Sequence, residues 1–138
     1  MPDIVDAHIH IAVAGDDNES TGPVTPEVRI ADVIDHRRPS ILRALAGGVT
    51  TANVLHGSAN VIGGQNAVIK MRWGKDAADL FVEGAQPGIK FALGENPKRS
   101  NRRSPGGVPS RYPATRMGVE LTLRTSLTKA QKYQAQWK

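Results

Sequence analysis

An apolar run, a short amphipathic helix closed by two glycines, and a β-branched run follow one another within the first 55 residues, and this order restricts the fold more than any other feature. Ile4-Val5-Asp6-Ala7-His8-Ile9-His10-Ile11 reads as a strand spanning about Asp3 to Val13. From Pro39 to Ala46, Ile41, Leu42 and Leu45 make one apolar stripe, and Gly47-Gly48 supplies the stop. Val49-Thr50-Thr51-Ala52-Asn53-Val54-Leu55 is then a second, β-branched strand. Strand, helix, strand predicts an α/β chain with parallel strands.

The first strand also carries chemistry. Alternate side chains of a strand share a face, so Asp6, His8 and His10 project together, while Val5, Ala7, Ile9 and Ile11 project oppositely. Two imidazoles one pleat apart make half of a metal site; a His pair capping a strand at its polar end is the plainer alternative. The chain has no Cys, which removes disulfides and thiolate ligands, so any metal is held by His, carboxylate or a modified Lys. Those donors suit zinc, manganese, iron or nickel. No apolar stretch reaches the ~20 residues of a membrane span. Met1-Pro2-Asp3 leads into the strand without a basic or apolar leader, so the chain as it stands reads as cytoplasmic.

Further along, Pro26 to Asp35 reads as a short helix with Thr25 as its cap, Gly57 to Gln65 as a glycine-containing loop, and Ala67 to Trp73 as a short strand. Gly88 to Gly94 reads as another strand, with Ile89, Phe91 and Leu93 on one face and Lys90 and Ala92 on the other. A long amphipathic helix is expected over 115–137, burying Val119, Leu123, Leu127, Ala130, Tyr133 and Trp137 as core. Before it, the basic loop 98–111 holds Lys98, Arg99, Arg102, Arg103 and Arg111 and no acid, five charges that equal the whole net charge of +5. Such a loop suits a phosphate or carboxylate, or simply solvent; without interleaved aromatics it argues against nucleic acid.

Val5-Asp6-Ala7-His8-Ile9-His10, followed by Ala44-Leu45-Ala46-Gly47-Gly48-Val49-Thr50-Thr51, resembles the opening of the amidohydrolase superfamily barrel. Gly57 to Gln65 and Gly88 to Pro97 resemble its imidazolonepropionase-like or prolidase-like branch. The resemblance implies a partial TIM-type (β/α)8 barrel, its first three to four strands with flanking helices, so that 1–138 is an N-terminal fragment of a barrel domain. A complete barrel takes about 250 residues. It further implies a metal-dependent hydrolase of C–N bonds that works through metal-activated water on small amides or dipeptides, with zinc foremost.

By the same resemblance, His8 and His10 are metal ligands and Lys90 a third, as a carboxylated lysine; Lys70, followed on its face by Arg72, is a weaker rival. Asp6 would orient an imidazole or tether the strand. His56, at the end of the second strand, and Glu95 and Asn96, after the Lys90 strand, would contact substrate. The family's two later His and its general-base Asp have no counterpart, since His56 is the last His. The alternative reading is therefore a catalytically inactive remnant or a half-barrel assembly module, either a homodimer or one that pairs with a complementary half-barrel chain. A cupin fails on spacing, because no Glu follows His10 before Glu19.

Overall fold

A computed structural model of the chain describes residues 3–99 and 111–137. Two compact units divide it. The first comprises Met1–Asp17, Pro26–Gly57 and Gly64–Lys90, the second Asn18–Thr25, Ser58–Gly63 and Phe91–Lys138.

In the first unit, β1 (Ile4–Ile9) runs parallel to β2 (Val49–Val54), and α1 (Pro39–Ala46) connects them. Pro39 opens the helix, where its missing N–H would have no partner anyway. Gly48, at φ 89°, takes the left-handed conformation that closes it. β4 (Ala67–Lys70) pairs with the other edge of β2, giving the order β1-β2-β4. The pair β2–β4 is antiparallel, which corrects the all-parallel expectation. The connection from β2 to β4 carries β3 and no helix, so it makes no helical crossover of the kind that parallel neighbours use. β1 slips register against β2 between Asp6 and Ile9, so its tip is bulged.

Ile30, Ile41, Ala52, Val54, Ile69, Met71 and Leu80 form the core of this unit, with Leu80 supplied by α2 (Ala77–Leu80). Burial of Ile41 alone is worth about 2–3 kcal/mol before entropy is counted. The helix expected over Pro26 to Asp35 shrinks to a 3-10 turn at Ile30–Val33. Thr25 caps nothing there; its hydroxyl accepts from Asn60 within the second unit. The expected glycine loop also contains a strand, β3 (Ile62–Gln65), which pairs with β5 (Ile89–Phe91).

The second unit rests on α4 (Arg116–Gln136), capped by the Thr115 hydroxyl, which accepts from the Gly118 N–H at 3.1 Å. Val119 packs with Val61 and Ile62, and Val24 and Leu123 cover them. The long buried stripe is corrected: Leu127 is 47%, Tyr133 63% and Trp137 76% exposed. Only the first turns of α4 meet a neighbour among the described residues. α3 (Asn96–Arg99) precedes it. Most of the basic loop, residues 100–110, lies outside the described residues. No described helix is long and apolar enough to cross a membrane.

Candidate metal centre

The bulged tip of β1 holds the chemistry. Asp6 Oδ1 accepts from the His8 backbone N–H at 3.0 Å, so this carboxylate tethers the strand rather than an imidazole. His8 Nε2 and His10 Nε2 lie 3.2 Å apart. Lys90, from β5, is only 8% exposed, and its Nζ reaches His8 Nε2 at 3.0 Å. His10 Nδ1 faces the Leu55 carbonyl at 2.9 Å and Asp17 Oδ2 at 3.1 Å. Two acceptors hold the proton on Nδ1, leaving the Nε2 lone pair turned toward His8.

The spacing of the two Nε2 atoms would allow a shared divalent ion. His8 Nε2 has a single lone pair, which accepts from Lys90 when that group is an ammonium and is free to face His10 when it is not; a proton or a cation between the two Nε2 atoms would then account for their 3.2 Å approach. Two imidazole nitrogens sharing one ion at ~2.0–2.1 Å come to about that spacing. The set is incomplete, however, because zinc sites use at least three protein ligands. Among the described residues no group of three His, Cys, Asp or Glu could hold a metal.

Electrostatics around the pair follow from Lys90. Its positive charge, then burial, then His10 hold the His8 imidazole below its ordinary pKa, with Asp6 opposing. Burial lowers the Lys90 ammonium as well, against the pull of Asp17. A buried amine on this strand is therefore readier to be neutral than a surface lysine, whereas Lys70 is exposed.

His56 sits just beyond β2, 6% exposed, with Nδ1 on the Asp17 carbonyl at 3.0 Å and Nε2 buried with no close hydrogen-bond partner among the described residues. Asp17 thus links His10 through its carboxylate and His56 through its backbone. Nothing in the sequence marked it beyond an acid seven residues after His10, in a stretch dense with turn formers. Burial depresses the His56 pKa, so the folded state resists a proton that the unfolded chain accepts. Stability is expected to be full above the unfolded value near 6.5 and to fall as pH drops below it. His56→Gln should flatten that slope in urea titrations at successive pH values without abolishing it, because the His8 shift has the same sign. An unchanged slope would remove His56 as its source.

The remaining residues expected at the site lie in the second unit. Glu95 is taken up by Lys98 at 2.8 Å and Arg116 at 3.3 Å, and Asn96 is exposed at the start of α3. Within that unit, Arg111 donates to Asn60 Oδ1 at 2.7 Å, and Asn60 donates to the Glu19 carbonyl at 2.6 Å.

No known family's sequence profile matches the chain. It is 33% identical to the amidohydrolase tasK of Hapsidospora irregularis over 92% of its own length and 14% of that protein's. It also superposes on the crystal structure of an amidohydrolase from Thermotoga maritima MSB8 with a TM-score of 0.85 and 40% identity, covering 99% of this chain and 36% of the other. The chain therefore spans well under half the length of either relative. The mixed sheet with its flanking helices is a partial, unclosed (β/α) barrel.

Proposed function

Because this chain is homologous to the amidohydrolase superfamily over part of that fold, we propose that it carries the first two ligands, His8 and His10, of a divalent-metal site and is by itself catalytically incomplete. The observation that carries this reading is the 3.2 Å pair of imidazole nitrogens without a third donor of metal-site type among the described residues. A bound ion, zinc foremost, would supply Lewis acidity and a more acidic water for cleavage of a C–N bond in a small amide or dipeptide.

The chain's own residues do the rest of the positioning. Asp6 fixes the backbone at His8, and the Leu55 carbonyl with Asp17 fixes the tautomer of His10. Lys90 is placed to join them once its amine is neutral and carboxylated. A second reading, an assembly module that meets another copy or a complementary half-barrel chain, is favoured by the apolar side chains left open on β1, where Val5 is 67% exposed.

Zinc titration of the purified protein beside a His8→Ala/His10→Ala variant tests the main reading. The wild type is expected to bind one ion per chain, and the variant roughly tenfold or more weakly. Neither should turn over amides or dipeptides. Both side chains are exposed, so the fold persists and circular dichroism should coincide. Equal uptake by the two proteins would sink the metal assignment, and turnover by the wild type would sink the claim of incompleteness.

A further inference from the structure

A cavity of about 380 Å³ opens between His10 and the start of α1, with Ala12, Arg38, Ser40 and Arg43 among its walls. We propose that it binds the carboxylate of a small aliphatic acid. This deepens the preceding reading, on which it rests only for the direction in which a scissile carbonyl would point, toward His10.

The cavity has a surplus of positive charge. One carboxylate, Asp35, serves two guanidiniums, Arg37 at 3.1 Å and Arg38 at 3.4 Å, so one charge is left over. Arg43 pairs with no carboxylate among the described residues and stands one turn along the same helix. A guanidinium presents parallel N–H donors that match the two oxygens of a carboxylate. The start of α1 adds to the field, for no side chain caps it and no acid lies in its first turn.

Donors besides arginine face the space. Ser40 Oγ accepts from the Ala12 N–H at 3.3 Å, which leaves its own hydroxyl hydrogen to point elsewhere. Ala12 is buried and left-handed, at φ 61°, a conformation an alanine holds only when its surroundings insist. Here the Ala12 carbonyl accepts from Asp35 N at 2.8 Å, tying the loop after β1 to the segment leading into α1. The half-buried aliphatic side chains of Ile11 and Val13 also line the cavity. Two arginines, His10 and the aliphatic Ile11 and Val13 on one set of walls suit an N-acyl amino acid better than a compact inorganic anion.

N-acetylvaline, its neutral amide N-acetylvalinamide and inorganic phosphate serve as probes, followed by the backbone NMR signals of His10 to Ala14. In the full chain, the acid is expected to bind roughly tenfold or more tightly than the amide. Arg43→Ala, on an exposed helix position, should erase that preference, and Arg38→Ala should reduce it. Equal binding of acid and amide, a preference that survives Arg43→Ala, or phosphate binding as tightly as the acid would each overturn the proposal. In a His8→Ala variant, whose substitution leaves the cavity wall untouched, loss of zinc uptake with the acid–amide difference intact supports the pocket independently of the ion. In a wild type that fails to bind zinc, the same difference would discard the metal reading and keep the pocket. Zinc uptake without that difference discards the pocket alone.

Discussion

Gly64→Ala is expected to cost about 3 kcal/mol of stability, a fall in Tm of roughly 10 °C for a chain of this size. Gly64 is buried in β3, where an added Cβ would overlap the Val28 carbonyl oxygen and the His56 imidazole. Neither neighbour yields readily. Val28 O is occupied by the Gln65 N–H at 2.8 Å, and His56 is held by the Asp17 carbonyl. Urea denaturation of the single variant and of Gly64→Ala/His56→Ala would separate the two contacts, because a double-mutant cycle reports how far the ring shares the clash. The pair is expected to cost less than the sum of the singles. A loss below about 1 kcal/mol for Gly64→Ala would mean that β3 can shift and that the close approach is not fixed.

Ile69→Ala should be larger still, about 4 kcal/mol. Ile69 is fully buried on β4, opposite Ala52 of the central strand and bridged on its other side to Phe81. Removing its outer carbons leaves a void in the cluster that also holds Ile41 and Leu80, and a strand held on both sides cannot close it. Val5→Ala, on an exposed position of β1, is the control and is expected to stay within about 0.5 kcal/mol. Comparable losses for the two would show that the core does not centre on β4.

These two positions differ in how visible they were in the sequence. The β1–α1–β2 unit was legible because its signals are local: alternation, a proline at the first turn, a Gly-Gly stop and a β-branched run. The bounds of α1 came out at Pro39 and Ala46, as the apolar stripe and its punctuation indicate. β3 was illegible for the opposite reason, since Gly63 and Gly64 read as loop formers, whereas here a missing Cβ is what admits the strand beside Val28 and His56.

Side chains at the site divide in the same way. His8 and His10 share a face because a two-residue period needs no tertiary information. The burial of Lys90 needs it, because alternation along β5 shows that Lys90 and Ala92 share a face but not that this face is covered. Ile89 and Phe91, the apolar side, are 44% and 43% exposed instead. Asp17 was hidden for want of any periodicity in its loop. The stripe on α4 shows the limit of such patterns, since helical spacing marks which residues could be buried together, and of the expected stripe Val119 and Leu123 pack on the described core whereas Leu127, Tyr133 and Trp137 are exposed.

The sheet order β1-β2-β4 leaves β1 with one side that no described strand pairs, whereas β4 is bridged on its outer side to Phe81. A concentrated solution of this chain therefore presents one open hydrogen-bonding template per molecule, flanked by exposed Ile4 and Val5. Two copies can pair along that strand while each remains folded, so self-association of this chain requires no unfolding.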